Sequence, residues 1–121
     1  MADFDPNIPI YFQIINAIKQ KIVAGLIKPG ERLPSVREYA EELSVNPNTV
    51  QRAYQELERE GITETKRGMG SFITENESLI PSIRKEMAKS LTRTFIKGMT
   101  ALSFTKQEIL QELANQLEES K

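Results

Sequence analysis

Two short helices with separate start signals, predicted within residues 35–61, are the strongest constraint on the fold. Ser35-x-x-Glu38 is a capping box, in which the hydroxyl and the carboxylate each accept a hydrogen bond from the other residue's amide. The helix that it starts is predicted to run to about Leu43. Asn46-Pro47 starts a second helix, because asparagine is a good N-cap and proline loses no hydrogen bond in the first helical position; Gly61 marks its end. Two helices joined by a turn as short as Ser44-Val45 are typical of a helix-turn-helix.

A short hairpin is predicted directly after this helix pair. Residues 62–65 and 71–74 have the β-branched character of strands, and the tip between them reads Lys66-Arg67-Gly68-Met69-Gly70. A further helix, predicted over residues 9–25, precedes the pair, because isoleucines recur along it at helical spacing. Three helices followed by a hairpin form the layout of a winged helix-turn-helix, which usually places the second helix of its motif in the DNA major groove.

The chain changes character at residue 76. Asn76-Glu77-Ser78 is the predicted linker, and a helix is predicted from about 81 to 100. Thr105-x-x-Glu108 is a second capping box and starts the last helix. The predicted fold is therefore mostly α-helical with a small β hairpin. A winged helix-turn-helix DNA-binding domain covers residues 1–75, and a two-helix C-terminal dimerisation appendage covers residues 76–121.

Composition argues against an enzyme. With no cysteine and no histidine among 121 residues, the chain lacks disulfides, thiolate ligands and the commonest general base. Its carboxylates lie on faces predicted to be solvated, so we expect no catalytic site, no metal and no cofactor. No apolar run approaches the roughly 20 residues of a membrane span, and the N-terminus lacks a signal-peptide pattern. We therefore expect a cytoplasmic protein with no membrane partner.

The charge of the chain is a mild argument against a nucleic-acid partner. The formal net charge is −1, whereas DNA-binding proteins are often basic. Arg37, Arg52, Lys66 and Arg67 nevertheless lie on the segments expected to face DNA, and acidic residues cluster elsewhere, as in Glu56-x-Glu58-x-Glu60. Local potential, rather than total charge, would have to attract the phosphates.

Candidate DNA contacts lie on three segments. The start of the second motif helix adds backbone amides directed at phosphate to side chains that suit phosphates and base edges: Asn46, Asn48, Thr49, Gln51 and Arg52. Asn46 is interpreted chiefly as a cap, and the main base contacts are expected from Asn48, Thr49 and Gln51, with Arg52 beside them. Arg37 is interpreted as a phosphate contact, with a surface salt bridge to Glu41 as the alternative. Lys66 and Arg67, at the tip of the hairpin, suit a minor groove or phosphates.

The predicted tail helices carry apolar stripes that two helices alone cannot cover. The stripes either pack on the winged domain, form only an intrachain core, or pair with a second copy of the chain. We favour the second copy, because a dimer lets two reading helices contact an inverted repeat. The candidate dimerisation residues are Met87, Leu91, Phe95, Met99, Leu110, Leu113 and Leu117.

Residues 8–75 resemble a known family. The segment is similar to the N-terminal domain of GntR-family bacterial transcription regulators in four motifs: Gly25-Leu-Ile-Lys-Pro-Gly-Glu-Arg-Leu-Pro-Ser-Val-Arg37, Ala40-x-x-Leu-x-Val45, Asn48-Thr-Val-x-x-Ala-Tyr-x-x-Leu57 and Gly68-x-Gly-Ser-Phe72. The short two-helix tail resembles the YtrA-like subfamily, in which a C-terminal helical pair mediates dimerisation.

The resemblance implies a sequence-specific transcription regulator, a repressor that binds an inverted-repeat operator on double-stranded DNA as a homodimer, often at transporter genes. It also implies DNA contact by the matching positions: Arg37, Asn46, Pro47, Asn48, Thr49, Gln51, Arg67 and Gly68. Many relatives have arginine in place of Pro47, and arginine or lysine in place of Gln51, so we expect a different sequence preference. Two alternatives stay open, a regulator whose tail senses a small ligand and a winged-helix protein–protein adaptor.

Overall fold

The computed structural model describes residues 3–120 of the chain. The five helices and two strands follow the predicted order, so the mostly helical winged architecture is confirmed. They are α1 (Ile10–Val23), α2 (Val36–Leu43), α3 (Pro47–Arg59), β1 (Thr63–Lys66), β2 (Gly70–Ile73), α4 (Leu79–Ala101) and α5 (Lys106–Glu119). Helix ends lie within about two residues of the predicted ones, which is the ordinary uncertainty of a helix boundary.

The predicted helix starts are formed by hydrogen bonds of the expected kind. The Glu38 amide donates to Ser35 Oγ at 3.0 Å, and the Ser35 amide donates to Glu38 Oε1 at 3.0 Å. Thr105 and Glu108 form the same reciprocal box at the start of α5. These bonds use amides that a helix otherwise leaves unpaired, which is why the caps locate the helices well.

The turn between α2 and α3 has a backbone conformation that the sequence does not announce. Ser44 adopts a left-handed conformation with φ of 58°, which is uncommon for a residue other than glycine. The Ser44 and Val45 amides donate to the carbonyls of Glu41 and Ala40, which closes the end of α2. The chain can therefore enter Asn46 immediately and start α3.

The hairpin is tighter than predicted. Lys66 pairs with Gly70 in the antiparallel register, and the Met69 amide donates to the Lys66 carbonyl at 2.8 Å. This bond shortens the loop, so both strands extend one residue further toward the tip than 62–65 and 71–74. A third segment joins the sheet, because Arg32 forms a β-bridge with Phe72. The wing is consequently supported from the segment that precedes α2.

The chain separates after Arg84 into two compact units, here called the winged unit, up to Arg84, and the tail unit, from Lys85. The buried core of the winged unit is aliphatic and comes from helices and wing alike; its largest fully buried side chains are Ile14, Ile18, Val50, Leu57 and Ile73. Tyr54 completes it, because its hydroxyl donates to the Pro34 carbonyl at 2.8 Å and ties α3 to the segment before α2.

The tail unit contains the later part of α4 and the whole of α5. None of its described residues is buried. The division falls inside α4, whereas the sequence suggested a domain boundary after residue 75, and that functional boundary stays a prediction. None of the described helices is both long and apolar enough to cross a bilayer.

Candidate nucleic-acid interface

The start of α3 presents a polar surface to solvent. Val50, Ala53 and Leu57 are fully buried on one side of the helix. Asn48 and Arg52 are exposed and lie four residues apart on the opposite side. The face therefore combines amide and guanidinium groups on a helix whose other side is locked into the core. Pro47 and Gln51 are also exposed at this end, and Thr49 is half-buried.

The backbone amides of this first turn are already paired. Asn46 Oδ1 accepts from the Asn48 amide at 2.8 Å, which confirms the capping role of Asn46. The Thr49 amide donates to the Asn46 carbonyl at 2.9 Å, and Pro47 has no amide proton. The expectation of free amides directed at phosphate is therefore wrong for these residues. The side chains and the partial charge of the helix end remain for an anion.

Arg52 does not extend straight into solvent. Its guanidinium carbon lies 3.8 Å from the centroid of the Tyr11 ring, a cation–π stack that joins α3 to the first turn of α1. Arg37, at the start of α2, is exposed, and the ion pair with Glu41 that the sequence allowed is not formed among the described residues. Both arginines thus keep their outer N–H groups available to a ligand.

The acidic run at the end of α3 is partly compensated within the winged unit. Each carboxylate has a partner: Arg59 Nη2 lies 2.6 Å from Glu56, the Thr65 amide 3.1 Å from Glu58, and Lys19 Nζ 3.0 Å from Glu60. The hydrogen bond with Glu56 raises the pKa of Arg59 above its ordinary value. The charges of Glu56 and Glu60 are therefore paired with cations, whereas Glu58 gains a hydrogen bond and keeps its net charge.

The wing tip exposes its predicted cations on a braced loop. Lys66, Arg67 and Gly68 are all exposed, and Gly68 has a φ of 76°. Arg32 Nε donates to the Met69 carbonyl at 3.0 Å and so holds the tip. A Cβ atom at Gly70 would lie 3.0 Å from Arg32 Nε, so the glycine leaves room for this brace.

A cleft lies at the base of this brace. It has a volume of about 350 Å³, and its walls include Tyr39, Tyr54, Leu33 and Arg32. Burial raises the pKa of both tyrosines above the ordinary value, so both hydroxyls stay protonated. Because Arg32 belongs both to the cleft and to the brace, the cleft wall is linked directly to the wing tip.

The predicted dimerisation residues lie on α4 and α5 and are poorly covered. Met87 and Met99 are half-buried, and the exposed fractions of the others are 67% for Leu91, 37% for Phe95, 58% for Leu110, 40% for Leu113 and 63% for Leu117. The stripe is also wider than predicted, since Ile96 on α4 is 46% exposed. Large apolar side chains left open in this number are typical of an interaction surface.

Comparison with known proteins identifies the class of protein that carries this interface. Residues 10–73 match the model of the bacterial regulatory proteins of the gntR family. This match spans α1 through β2, and therefore all of the candidate DNA contacts. The chain belongs to the GntR family.

Similar proteins agree with this membership beyond the winged unit. The uncharacterised HTH-type transcriptional regulator YhcF of Bacillus subtilis is 43% identical over 108 residues, which cover 89% of each chain. The B. subtilis transcriptional repressor YtrA is 55% identical over 78 residues, or 63% of this chain and 60% of YtrA. A GntR-family regulator from Listeria monocytogenes has a TM-score of 0.84 and 43% identity, and the match covers 93% of this chain and 98% of that one.

These similarities identify a DNA-binding transcriptional regulator of the YtrA-like GntR subfamily. The winged unit of this GntR-family protein also contains contacts that the sequence did not reveal: Arg52 with Tyr11, Lys66 with Phe72, whose ring centroid is 4.6 Å from Lys66 Nζ, and Arg32 with the wing tip. A helical period assigns Tyr11 only to an apolar stripe, and no local pattern joins Arg32 to a loop 37 residues later. The partnerships of Arg52 and Arg32 depend on long-range packing, whereas that of Lys66 with Phe72 forms within the hairpin.

Proposed function

We propose that this GntR-family regulator is a repressor that binds an inverted-repeat operator as a homodimer. The observation that carries the proposal is the pairing of two surfaces in one chain. An exposed polar face of α3 rests on a buried core, and a large apolar surface of the tail unit is left uncovered. The first surface suits DNA, and the second suits another copy of the same chain.

On the DNA side, we assign phosphates and bases to different groups. Arg37 and Arg67 are exposed cations without ion-pair partners among the described residues, which suits phosphates. Asn48, Thr49 and Gln51 present amide and hydroxyl groups that can pair with base edges in the major groove. Asn46 and Pro47 shape the start of α3, and Gly68 lets the wing backbone approach the duplex closely.

On the protein side, the tail unit supplies the dimer contact. Leu91 and Phe95 lie one helical turn apart on α4, so they share a face, and both are exposed. Leu110, Leu113 and Leu117 are three and four residues apart along α5, so they also share a face. Burying these side chains against their symmetry mates stabilises a dimer by roughly 25 cal/mol per Å² of apolar surface removed from water, and an isologous contact places two reading helices about a two-fold axis.

The repressor role is supported by similarity to YtrA, a named transcriptional repressor with 55% identity over 78 residues. A dimer that covers both halves of a promoter site blocks access to that site by occupying it. The alternative of a protein–protein adaptor leads to a different result in the following titration, and a ligand-dependent shift of the melting temperature would favour a tail that senses a small ligand.

The test is a titration of a palindromic fragment from the protein's own promoter, together with a scrambled duplex, across a range of salt concentrations. We expect Arg37→Ala and Arg67→Ala to weaken binding to both duplexes by about 10-fold, since a charge-assisted hydrogen bond contributes roughly 1.5–3 kcal/mol. The salt slope should also fall by roughly 0.9 per lost phosphate contact. Asn48→Ala should instead reduce the preference for the palindrome. Arg93→Ala, an exposed cation of the tail unit, is the matched control.

Dimerisation is tested in the same titration. The double variant Leu91→Asp/Phe95→Asp should sediment as a monomer. Its affinity for the palindrome should fall by at least an order of magnitude. Leu26→Asp with Phe12→Asp, which alters comparably exposed apolar side chains of the winged unit, should remain dimeric. A wild-type protein that shifts neither duplex would reject the DNA-binding proposal and favour the adaptor, and a tail variant that stays dimeric would reject the tail as the interface.

A further inference from the structure

The stack of Arg52 on Tyr11 is a built contact on the edge of the candidate interface. The guanidinium carbon is 3.8 Å from the ring centroid. Tyr11 is half-buried in the first turn of α1, whereas Arg52 is exposed on α3. Within the described chain, no ion pair and no hydrogen bond accompanies this stack, so the ring face is the specific partner of the guanidinium.

Stacking uses the face of the guanidinium and leaves its edge free. The five N–H donors of arginine lie in the plane of the group, and an aromatic face below that plane satisfies none of them. Such a stack therefore orients the donors without consuming them. A freely rotating arginine loses side-chain freedom when it binds. Arg52 has already lost part of that freedom.

The position of Arg52 indicates which part of DNA it faces. It lies four residues after Asn48 on the outward side of α3, and its side chain leans toward α1, away from the centre of that face. Groups at the flank of a reading helix meet the groove edge, where the phosphates are, while central groups of the first turns meet the bases. This placement favours phosphate over base for Arg52.

We propose that Tyr11 is a positioning residue that holds the Arg52 guanidinium for a DNA phosphate beside the reading helix. This inference rests on the proposed DNA-binding function of α3. It also explains how a chain of net charge −1 can bind a polyanion. A few cations held in position for phosphates can suffice where the total charge is not positive. The wing repeats the arrangement, with Lys66 Nζ 4.6 Å from the centroid of the Phe72 ring.

The test compares Arg52→Ala, Tyr11→Leu, Tyr11→Phe and the double variant Tyr11→Leu/Arg52→Ala on the palindrome and on a scrambled duplex of equal length. Arg52→Ala should weaken binding to both duplexes on the order of 10-fold and lower the salt slope of binding by roughly 0.9. Tyr11→Leu should weaken both by about 2- to 5-fold, the range of an exposed cation–π contact. Tyr11→Phe keeps a ring and should bind like wild type. The double variant should lose no more than Arg52→Ala alone.

Each outcome bears on a different step. Arg52→Ala weakening only the palindrome would show a base contact and overturn the phosphate assignment. The proposal would be overturned if Tyr11→Leu and Tyr11→Phe bound DNA equally well and only the melting temperature of Tyr11→Leu were lowered. Tyr11 would then be a packing residue. Arg52→Lys, which keeps the charge without the planar stack, should behave like Tyr11→Leu. The failure of wild type to bind either duplex would instead reject the DNA-binding function itself.

Discussion

The winged unit and the tail unit use the same kinds of residue to different ends. Both consist largely of amphipathic helices with leucine and isoleucine at helical spacing, and both start a helix with a capping box. Leu57 in the winged unit is fully buried, however, whereas Leu117 in the tail unit is 63% exposed. An apolar stripe predicts that something will cover it, but it does not say whether the cover belongs to the same chain.

This difference separates stability from assembly. In the winged unit, helices, wing and the segment before α2 all cover one another, so its core stabilises the fold of the single chain. In the tail unit, the described residues from Lys85 onward include none that is buried. Its stripes therefore contribute little to a single chain and become favourable only when a partner removes them from water. Matched substitutions in the two units make this contrast measurable.

The largest expected difference is between two leucine truncations. Leu57→Ala should lower the free energy of unfolding of the winged unit by about 2–5 kcal/mol, because it removes buried methyl groups and leaves a cavity. Leu117→Ala should change that free energy by less than about 0.5 kcal/mol, as exposed substitutions usually do, and should weaken self-association instead. Urea unfolding at several protein concentrations, with sedimentation, measures both effects. Equal destabilisation by the two variants at every concentration would make the tail stripe an intrachain core and remove the contrast.

The two capping boxes give a smaller effect, of about 1 kcal/mol. Ser35→Ala should lower the stability of the winged unit by that amount, since Ser35 caps a helix packed into the core. Thr105→Ala should leave the winged unit unchanged and accelerate amide hydrogen exchange in the first turn of α5. A Thr105→Ala variant that lowers the winged-unit midpoint as far as Ser35→Ala does would show that the two units unfold as one.

The Ser35 box also has a pH signature with a defined sign. Two hydrogen bonds to Ser35 lower the pKa of Glu38. The bond from the Ser35 backbone amide has the larger effect, and the bond with the Ser35 side chain adds to it. A carboxyl whose pKa is lowered by folding stabilises the native state above its ordinary pKa, and that contribution is lost as the pH falls through the lowered value. Glu38→Gln should remove this acid-side component from the pH dependence of unfolding. An unchanged acid limb would show that Glu38 does not carry it.

The sequence predicted what depends on neighbouring residues and missed what depends on distant ones. The caps at Ser35 and Asn46 are local hydrogen bonds, so two helix starts and the exposed polar face of α3 were predictable. The brace from Arg32 to the wing depends on the packing of the whole winged unit, as does the stack of Arg52 on Tyr11. The same distinction explains why the hairpin was predicted but both strands extend one residue further toward the tip, because the hydrogen bond from the Met69 amide to the Lys66 carbonyl decides where the loop closes.

The smallest expected effect comes from two serines in left-handed backbone conformations, one in each unit. Ser44 has a φ of 58° and Ser103 a φ of 66°. This conformation costs a residue with a Cβ atom roughly 1–2 kcal/mol, and glycine avoids that cost but adds unfolded-state entropy. Ser44→Gly should therefore stabilise the winged unit by about 0.5 kcal/mol, measured by urea unfolding. Ser103→Gly should leave the urea midpoint of the winged unit unchanged.

The control for this pair is Ser44→Ala, which removes the hydroxyl and keeps the strained backbone, so it should not stabilise. If Ser44→Gly destabilised the winged unit, the turn between α2 and α3 would depend on the rigidity of serine more than on relief of strain. That result would matter for DNA binding, because this turn sets where Asn46 begins α3. A loss of operator affinity in Ser44→Gly, with self-association unchanged, would show that DNA binding also depends on the backbone of this turn, outside the residues proposed to contact DNA.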